Sequence, residues 1–278
     1  MYSKLPNNVK MPLIGLGTYL LDNKKIEKLA AKAIKIGYRH FDTAQMYNNS
    51  IGLGKAISNS KIPRKDLFIT SKQWGHYTFE IAKIKFMETL SMLKTDYIDL
   101  YLIHWPSHDS KINSQTWKFF EWLYNNNFCR AIGVSNFSRY QLQELLKTCK
   151  IKPMVNQVEF HPGLNQIPLR KYLSDNNIRL ISYGPMMRGG IYREPLHDKL
   201  KIVANKYKIT IAQLVISWGI NQEIFMIPKT QNKSRLKENF SSLNIKINKD
   251  DLETINNMNL GKRLYSDPSN NPYGNFIE

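Results

Sequence analysis

Short runs of β-branched and aromatic residues alternate with amphipathic stretches along most of this chain, and that alternation restricts its fold more than any other feature. The predicted strands are 13–17, 40–42, 68–71, 98–104, 131–135, 155–158, 179–182 and 225–227. They are rich in Ile, Val, Leu, Phe and Tyr, as parallel strands buried on both faces should be. Between them, apolar residues recur at helical spacing. Ile26, Leu29, Ala30, Ala33 and Ile34 form one stripe. Ile81, Ile84, Phe86, Leu90 and Leu93 form a looser one. Leu142, Leu145 and Leu146 follow Ser138, a good N-cap. Eight strand–helix units read as a (β/α)8 barrel of the α/β class. No linker or low-complexity break interrupts the 278 residues, so one domain, 1–278, is expected. A small N-terminal hairpin near 9–13 is expected to cap the barrel floor. The tail after Gly261, with Pro268 and Pro272, reads as irregular and free to fold over the barrel mouth.

In such barrels chemistry sits at the C-terminal ends of the strands. Asp42, Lys72 and His104 each fall at a predicted strand end, and Tyr47 lies in the loop after the second strand. Taken alone, each has an ordinary explanation: a turn residue, a solvated lysine, a core histidine, a surface aromatic. Together, a carboxylate, an amine, an imidazole and a phenol can deliver a proton to a carbonyl oxygen. The amine would lower the phenol's pKa, and the carboxylate would hold the amine charged.

The flanking segments resemble the aldo-keto reductase family from about Met11 to Arg263, and most of all its compact bacterial members acting on 2,5-diketo-gluconate and methylglyoxal. They are Gly37–Asn49, Leu67–Lys72 and Tyr97–Pro106. The resemblance implies NADPH-dependent reduction of a small aldehyde or ketone. Tyr47 would be the general acid, paired with Lys72 and Asp42, and His104 would orient the carbonyl. It further implies that Ser135, Asn136 and Gln157 hold the nicotinamide carboxamide and that Tyr183 stacks on the ring. The run 227–239 resembles the family's 2′-phosphate motif. There Lys229, Thr230 and Arg235 would hold the phosphate, and Glu238 and Asn239 would contact the adenine edge. Trp74, Trp105 and Tyr19 are the substrate-pocket candidates, with Tyr101 either in the barrel or in the helix layer. No metal ligand set is read.

Two segments depart from the family pattern. Asn49-Ser50 stands where Asn-Glu is usual, which should alter local packing and leave activity intact. Gly184-Pro185-Met186-Met187-Arg188 stands where a Ser-Pro-Leu run is common, at positions that often grip the pyrophosphate.

Composition narrows the partners. Only two cysteines, Cys129 and Cys149, argue against a disulfide framework and suit a reducing compartment. No apolar run spans a membrane, and no signal-peptide core is present. A cytoplasmic monomer without membrane or nucleic-acid partners is expected. The net charge of +18 comes from scattered lysines without a dense basic run, and reads mainly as composition bias. Two rivals to the enzyme are an NADPH-binding regulatory barrel with little turnover and, on charge alone, a nucleic-acid binder.

Overall fold

Parallel strands need both faces covered, and the expected strands are covered in this way. The computed structural model describes residues 1–270 and Tyr273. Pro272 and the remaining end of the expected domain lie outside the described residues. An antiparallel hairpin, β1 (Tyr2–Lys4) and β2 (Lys10–Pro12), opens the chain. Eight parallel strands follow: β3 (Leu16–Gly17), β4 (His40–Asp42), β5 (Phe68–Gln73), β6 (Ile98–Ile103), β7 (Cys129–Ser135), β8 (Val155–Glu159), β9 (Arg179–Tyr183) and β10 (Phe225–Met226). Each pairs with its sequence neighbours. The ring closes between its ends, where Met226 N–H donates to Leu13 O and Gly15 N–H to Met226 O, both at 2.9 Å. This is the expected barrel.

The helices are α1 (Asn23–Ile36), α2 (Ser50–Ser58), α3 (Phe79–Leu93), α4 (Ser110–Asn125), α5 (Arg139–Leu146), α6 (Ile167–Asp175), α7 (His197–Lys206), α8 (Ile211–Ile220), α9 (Lys233–Ser241) and α10 (Lys249–Asn256). Their ends follow capping chemistry. Asp22 accepts from Lys25 N–H at 2.8 Å to start α1, and Ser138 with Gln141 forms a capping box on α5. The α1 stripe is buried as expected.

Two expectations need correction. One member of the α3 stripe points outward: Ile84 is 60% exposed, while Phe86, Leu90 and Leu93 are buried as expected, together with Ala82 and Thr89. The Phe86 ring packs edge-on against Tyr101 at 4.9 Å and fixes that register. The first expected strand is also split. Ile14 bridges to Met226, while only Leu16 and Gly17 pair with β4. Between them a side chain on Gly15 would collide with the buried His40 ring. The other strand limits shift by one or two residues. Among the described residues no helix is long and apolar enough to cross a membrane.

Candidate active site

Strand placement brings the proton-transfer candidates to one end of the barrel. Asp42 closes β4, Lys72 is the penultimate residue of β5, and His104 follows β6 directly. Tyr47 ends a single 3-10 turn, Gln45–Tyr47, which Asn48 closes in the left-handed region at φ 52°. Gln45 ties that turn to the barrel. Its Oε1 accepts from Trp74 N–H and its Nε2 donates to Tyr101 Oη, both at 3.0 Å. Lys72, Asp42 and His104 are buried. The Lys72 ammonium donates to Asp42 Oδ1 at 2.5 Å, to Thr43 O at 3.0 Å and to Tyr47 Oη at 3.4 Å. Gln157 Nε2 takes the other Asp42 oxygen at 2.7 Å. A buried ion pair survives only when its remaining lone pairs and protons are satisfied, and here they are.

Electrostatics correct one expectation. Burial, followed by the Asp42 carboxylate, pushes the Tyr47 phenol well above its ordinary value. Lys72 was expected to bring it down, but desolvation, which depends on packing, sets the direction in this pocket. Burial lowers Lys72 itself, and Asp42 pushes it back up. Burial and the Lys72 charge hold His104 well below the usual histidine value, so its ring is neutral near pH 7. Its Nδ1 is buried and has no hydrogen-bond partner among the described residues.

The cavity above these residues holds about 750 Å³. Tyr47, His104, Ser135, Asn136, Gln157 and Tyr183 face it, as does Lys229 farther along. Asn136 adopts φ 64°, which turns its amide inward. Its Nδ2 donates to His104 O at 2.9 Å, and its Oδ1 accepts from Tyr183 Oη at 2.7 Å. Ser135 Oγ donates to Gln157 O at 2.9 Å. These candidates therefore form one hydrogen-bonded wall.

The phosphate candidates divide. Lys229 lines the cavity, where burial and the like charge of Lys25 pull its amine down. Thr230 is buried, and its Oγ1 accepts from Asn232 N–H at 3.0 Å at the start of α9. Arg235 is exposed on α9, and Asn239 is buried in it. Glu238 Oε1 is taken by Thr210 Oγ1 at 2.6 Å, at the N-cap of α8.

Of the substrate candidates, Tyr19 and Trp105 line the cavity. Tyr19 lies 5.0 Å from the Tyr47 ring. Trp74 stands behind, edge-on to His104 at 5.4 Å and 4.9 Å from Tyr273. Tyr101 points into the helix layer, stacked on Phe120. At the first departure from the family pattern, Asn49 is wholly buried. It accepts from Thr43 Oγ1 at 2.8 Å and donates to Thr18 O and Leu21 O at 2.9 Å, so its side chain joins the loop after β4 to the loop after β3. Met186 and Arg188, in the segment that departs from the family pattern, also line the cavity, and sequence reasoning missed Met46, Leu264 and Tyr265 beside them. The expectation that the tail folds over the mouth holds for Leu264–Ser266 and Tyr273.

A sequence model described as the aldo/keto reductase family matches residues 13–260. The glyoxal reductase of Bacillus subtilis is 40% identical over 267 residues, covering 95% of each chain. The 9,11-endoperoxide prostaglandin H2 reductase of Trypanosoma cruzi is 40% identical over 271 residues, covering 96% of this chain and 94% of the other. An aldo-keto reductase of the silkworm Bombyx mori, solved in complex with NADPH, superposes with a TM-score of 0.87 at 32% identity, covering 95% and 89% of the two chains.

Proposed function

From the premise that this chain belongs to the aldo/keto reductase family of carbonyl oxidoreductases, we propose that it reduces a small aldehyde or ketone with NADPH and that Tyr47 is the proton donor. The observation that carries this reading is the Lys72–Asp42–Tyr47 contact set at the floor of the cavity, beside a neutral His104. A phenol kept protonated by burial is an acid ready to give its proton to an alkoxide as it forms. His104 would donate a hydrogen bond to the same oxygen and orient the carbonyl. Lys72 would steady the tyrosinate left behind, and Asp42 would hold Lys72 in place.

The residues fit a nicotinamide cofactor with a 2′-phosphate. The cavity reaches from Tyr47 to Lys229, beyond what a small carbonyl alone would fill. Lys229 faces the cavity with its amine lowered by partial burial and by the like charge of Lys25, so it gains from an anion. Ser135, Asn136 and Gln157 would orient the carboxamide, and Tyr183 would support the ring. Lys229, Thr230 and Arg235 would take the phosphate, with Asn239 beside the adenine. We leave Glu238 a weaker part there, because Thr210 already holds its carboxylate. When bound, the cofactor supplies the hydride. Glyoxal and methylglyoxal, which name several relatives, are the first substrates to try. The same proposal takes the protein as a cytoplasmic monomer without a nucleic-acid partner.

The test is NADPH oxidation against a panel of small carbonyls, repeated with NADH. Turnover of a dicarbonyl with NADPH is expected, and no turnover across the panel would end the proposal. NADPH should be favoured more than tenfold, since a charge-assisted contact contributes about 1.5–3 kcal/mol. Because Arg235 is exposed, its own share belongs at the low end of that range. Arg235→Ala should erode the preference and leave NADH use intact; equal affinity for both cofactors in the unmutated protein would refute the phosphate assignment.

The pH dependence follows from the two shifts. Reduction needs the protonated phenol, and the raised Tyr47 keeps it protonated as pH rises through neutrality. The lowered His104 does not titrate there. The kcat/KM for reduction should therefore stay flat from about pH 6 to about pH 9, without an inflection at the ordinary histidine value of about 6.5. Alcohol oxidation needs the tyrosinate and should rise with pH over the same window. A reduction profile that bends near pH 6.5 would assign the proton to His104 instead.

A further inference from the structure

Glu159, the last residue of β8, is wholly buried and takes no part in the proton-transfer set. A buried carboxylate needs partners. His161 Nε2 donates to its Oε1 at 2.9 Å, and Leu264 N–H donates to the same oxygen at 2.7 Å. Tyr265 N–H donates to Oε2 at 3.2 Å, and Arg263 Nη1 lies 3.7 Å from it. Three of these four groups belong to one stretch of the tail, more than a hundred residues away in sequence. The barrel itself offers only His161.

That stretch forms part of the pocket wall. Leu264, Tyr265 and Ser266 face the cavity. The Tyr265 ring stands edge-on to Tyr183 at 5.1 Å, and the Arg188 guanidinium lies 4.4 Å over it. A side-chain carbon on Gly184 would come within 2.8 Å of the Tyr265 ring. Gly184, at φ 64°, therefore leaves open the space that Tyr265 fills, which gives a physical reason for glycine where serine is common. The strap is fastened on either side as well. Leu260 and Lys262 N–H donate to Gly163 O at 3.1 Å, and Gln141 Nε2 donates to Pro268 O at 3.2 Å. Glu159 holds the middle, where the strap meets the pocket.

We propose that Glu159 is a positioning residue that pins the strap 263–266 across the barrel mouth, setting Tyr265 against Tyr183 and so governing how tightly the pocket holds its ligands. It acts on binding, leaving proton transfer to Tyr47. The kinetic part rests on the reductase reading; the structural part does not.

The experiment uses full-length Glu159→Gln, which keeps the shape and turns one acceptor into a donor facing a backbone N–H. Hydrogen exchange at Leu264 and Tyr265 should speed up about tenfold or more, the worth of one charge-assisted bond, while the barrel strands stay protected. The KM should rise by a similar factor, and kcat should fall by less. In a Tyr265→Ala background the same substitution should change KM by no more than about twofold, because the two effects share one contact. If Glu159→Gln proves too unstable to purify, Arg263→Ala loosens the contact from the tail side and should give the same changes, smaller. Unchanged exchange at Leu264 and Tyr265 would overturn the proposal. So would an undiminished KM effect in the Tyr265→Ala background, which would confine Glu159 to holding its own loop. If no carbonyl is turned over, the reductase reading fails, and the exchange measurement still decides the strap.

Discussion

Tyr47→Phe should reduce carbonyl turnover by about two to four orders of magnitude, the usual worth of a positioned general acid, with cofactor affinity retained. The substitution removes one oxygen and keeps the ring, so the contacts with Tyr19 at 5.0 Å and His104 at 5.6 Å can persist. The two hydroxyls nearest in the wall and at the rim are poorly placed to replace it. Tyr183 Oη is committed to Asn136 at 2.7 Å, and Tyr19 is exposed at the rim. His104 is the other candidate in the proton-transfer set that could protonate the substrate oxygen. Its ring is neutral near pH 7, so it can donate a hydrogen bond but is a poor proton source. Loss of Tyr47 Oη also relieves Lys72 of a contact at 3.4 Å without stranding a charge, so the protein should fold normally. Single-turnover rates with NADPH bound would measure the step itself. A variant within tenfold of the parent would transfer the acid role to His104.

The barrel was legible because its signals are local. Most strand runs, the α1 stripe and the Ser138 N-cap each lie within one element, and they formed close to where they were read. The proton-transfer candidates were legible for a related reason: β4, β5 and β6 each deliver one of them to the same end of the barrel. What depended on distance in sequence was not legible. Tyr265 reaches the pocket through a bond to Glu159 that spans 106 residues, and no periodicity marks it. Arg188 enters through a left-handed backbone at φ 52° that its residue type does not announce. The bond from Thr210 to Glu238 crosses 28 residues, and nothing local reveals it. The direction of the Tyr47 shift failed for the same cause. A neighbouring charge can be guessed from a motif, whereas desolvation is set by everything packed around the group.

Lys72→Met should cost both stability and activity, and the two losses can be separated. In the parent the ammonium and the Asp42 carboxylate are nearly sealed from water, with side-chain exposures of 0% and 3%. Removing one partner of such a pair leaves an uncompensated buried charge, at a cost of about 3–5 kcal/mol. Gln157 still donates to Asp42 Oδ2 at 2.7 Å, which places the expected loss at the lower end. Turnover should fall by about two to four orders of magnitude as well, because the tyrosinate left by proton transfer loses its nearest cation. The double variant Asp42→Asn with Lys72→Met removes both charges together. Replacing a buried pair by neutral groups of similar volume is often close to neutral in stability, so the double variant should regain most of the lost denaturant midpoint. Its turnover should stay as low as that of Lys72→Met alone. Thermal or denaturant unfolding, measured beside single-turnover rates, gives both quantities for the parent and the two variants. Recovery of activity along with stability in the double variant would mean that Lys72 serves only to neutralise Asp42, and that the proton leaves Tyr47 without its help.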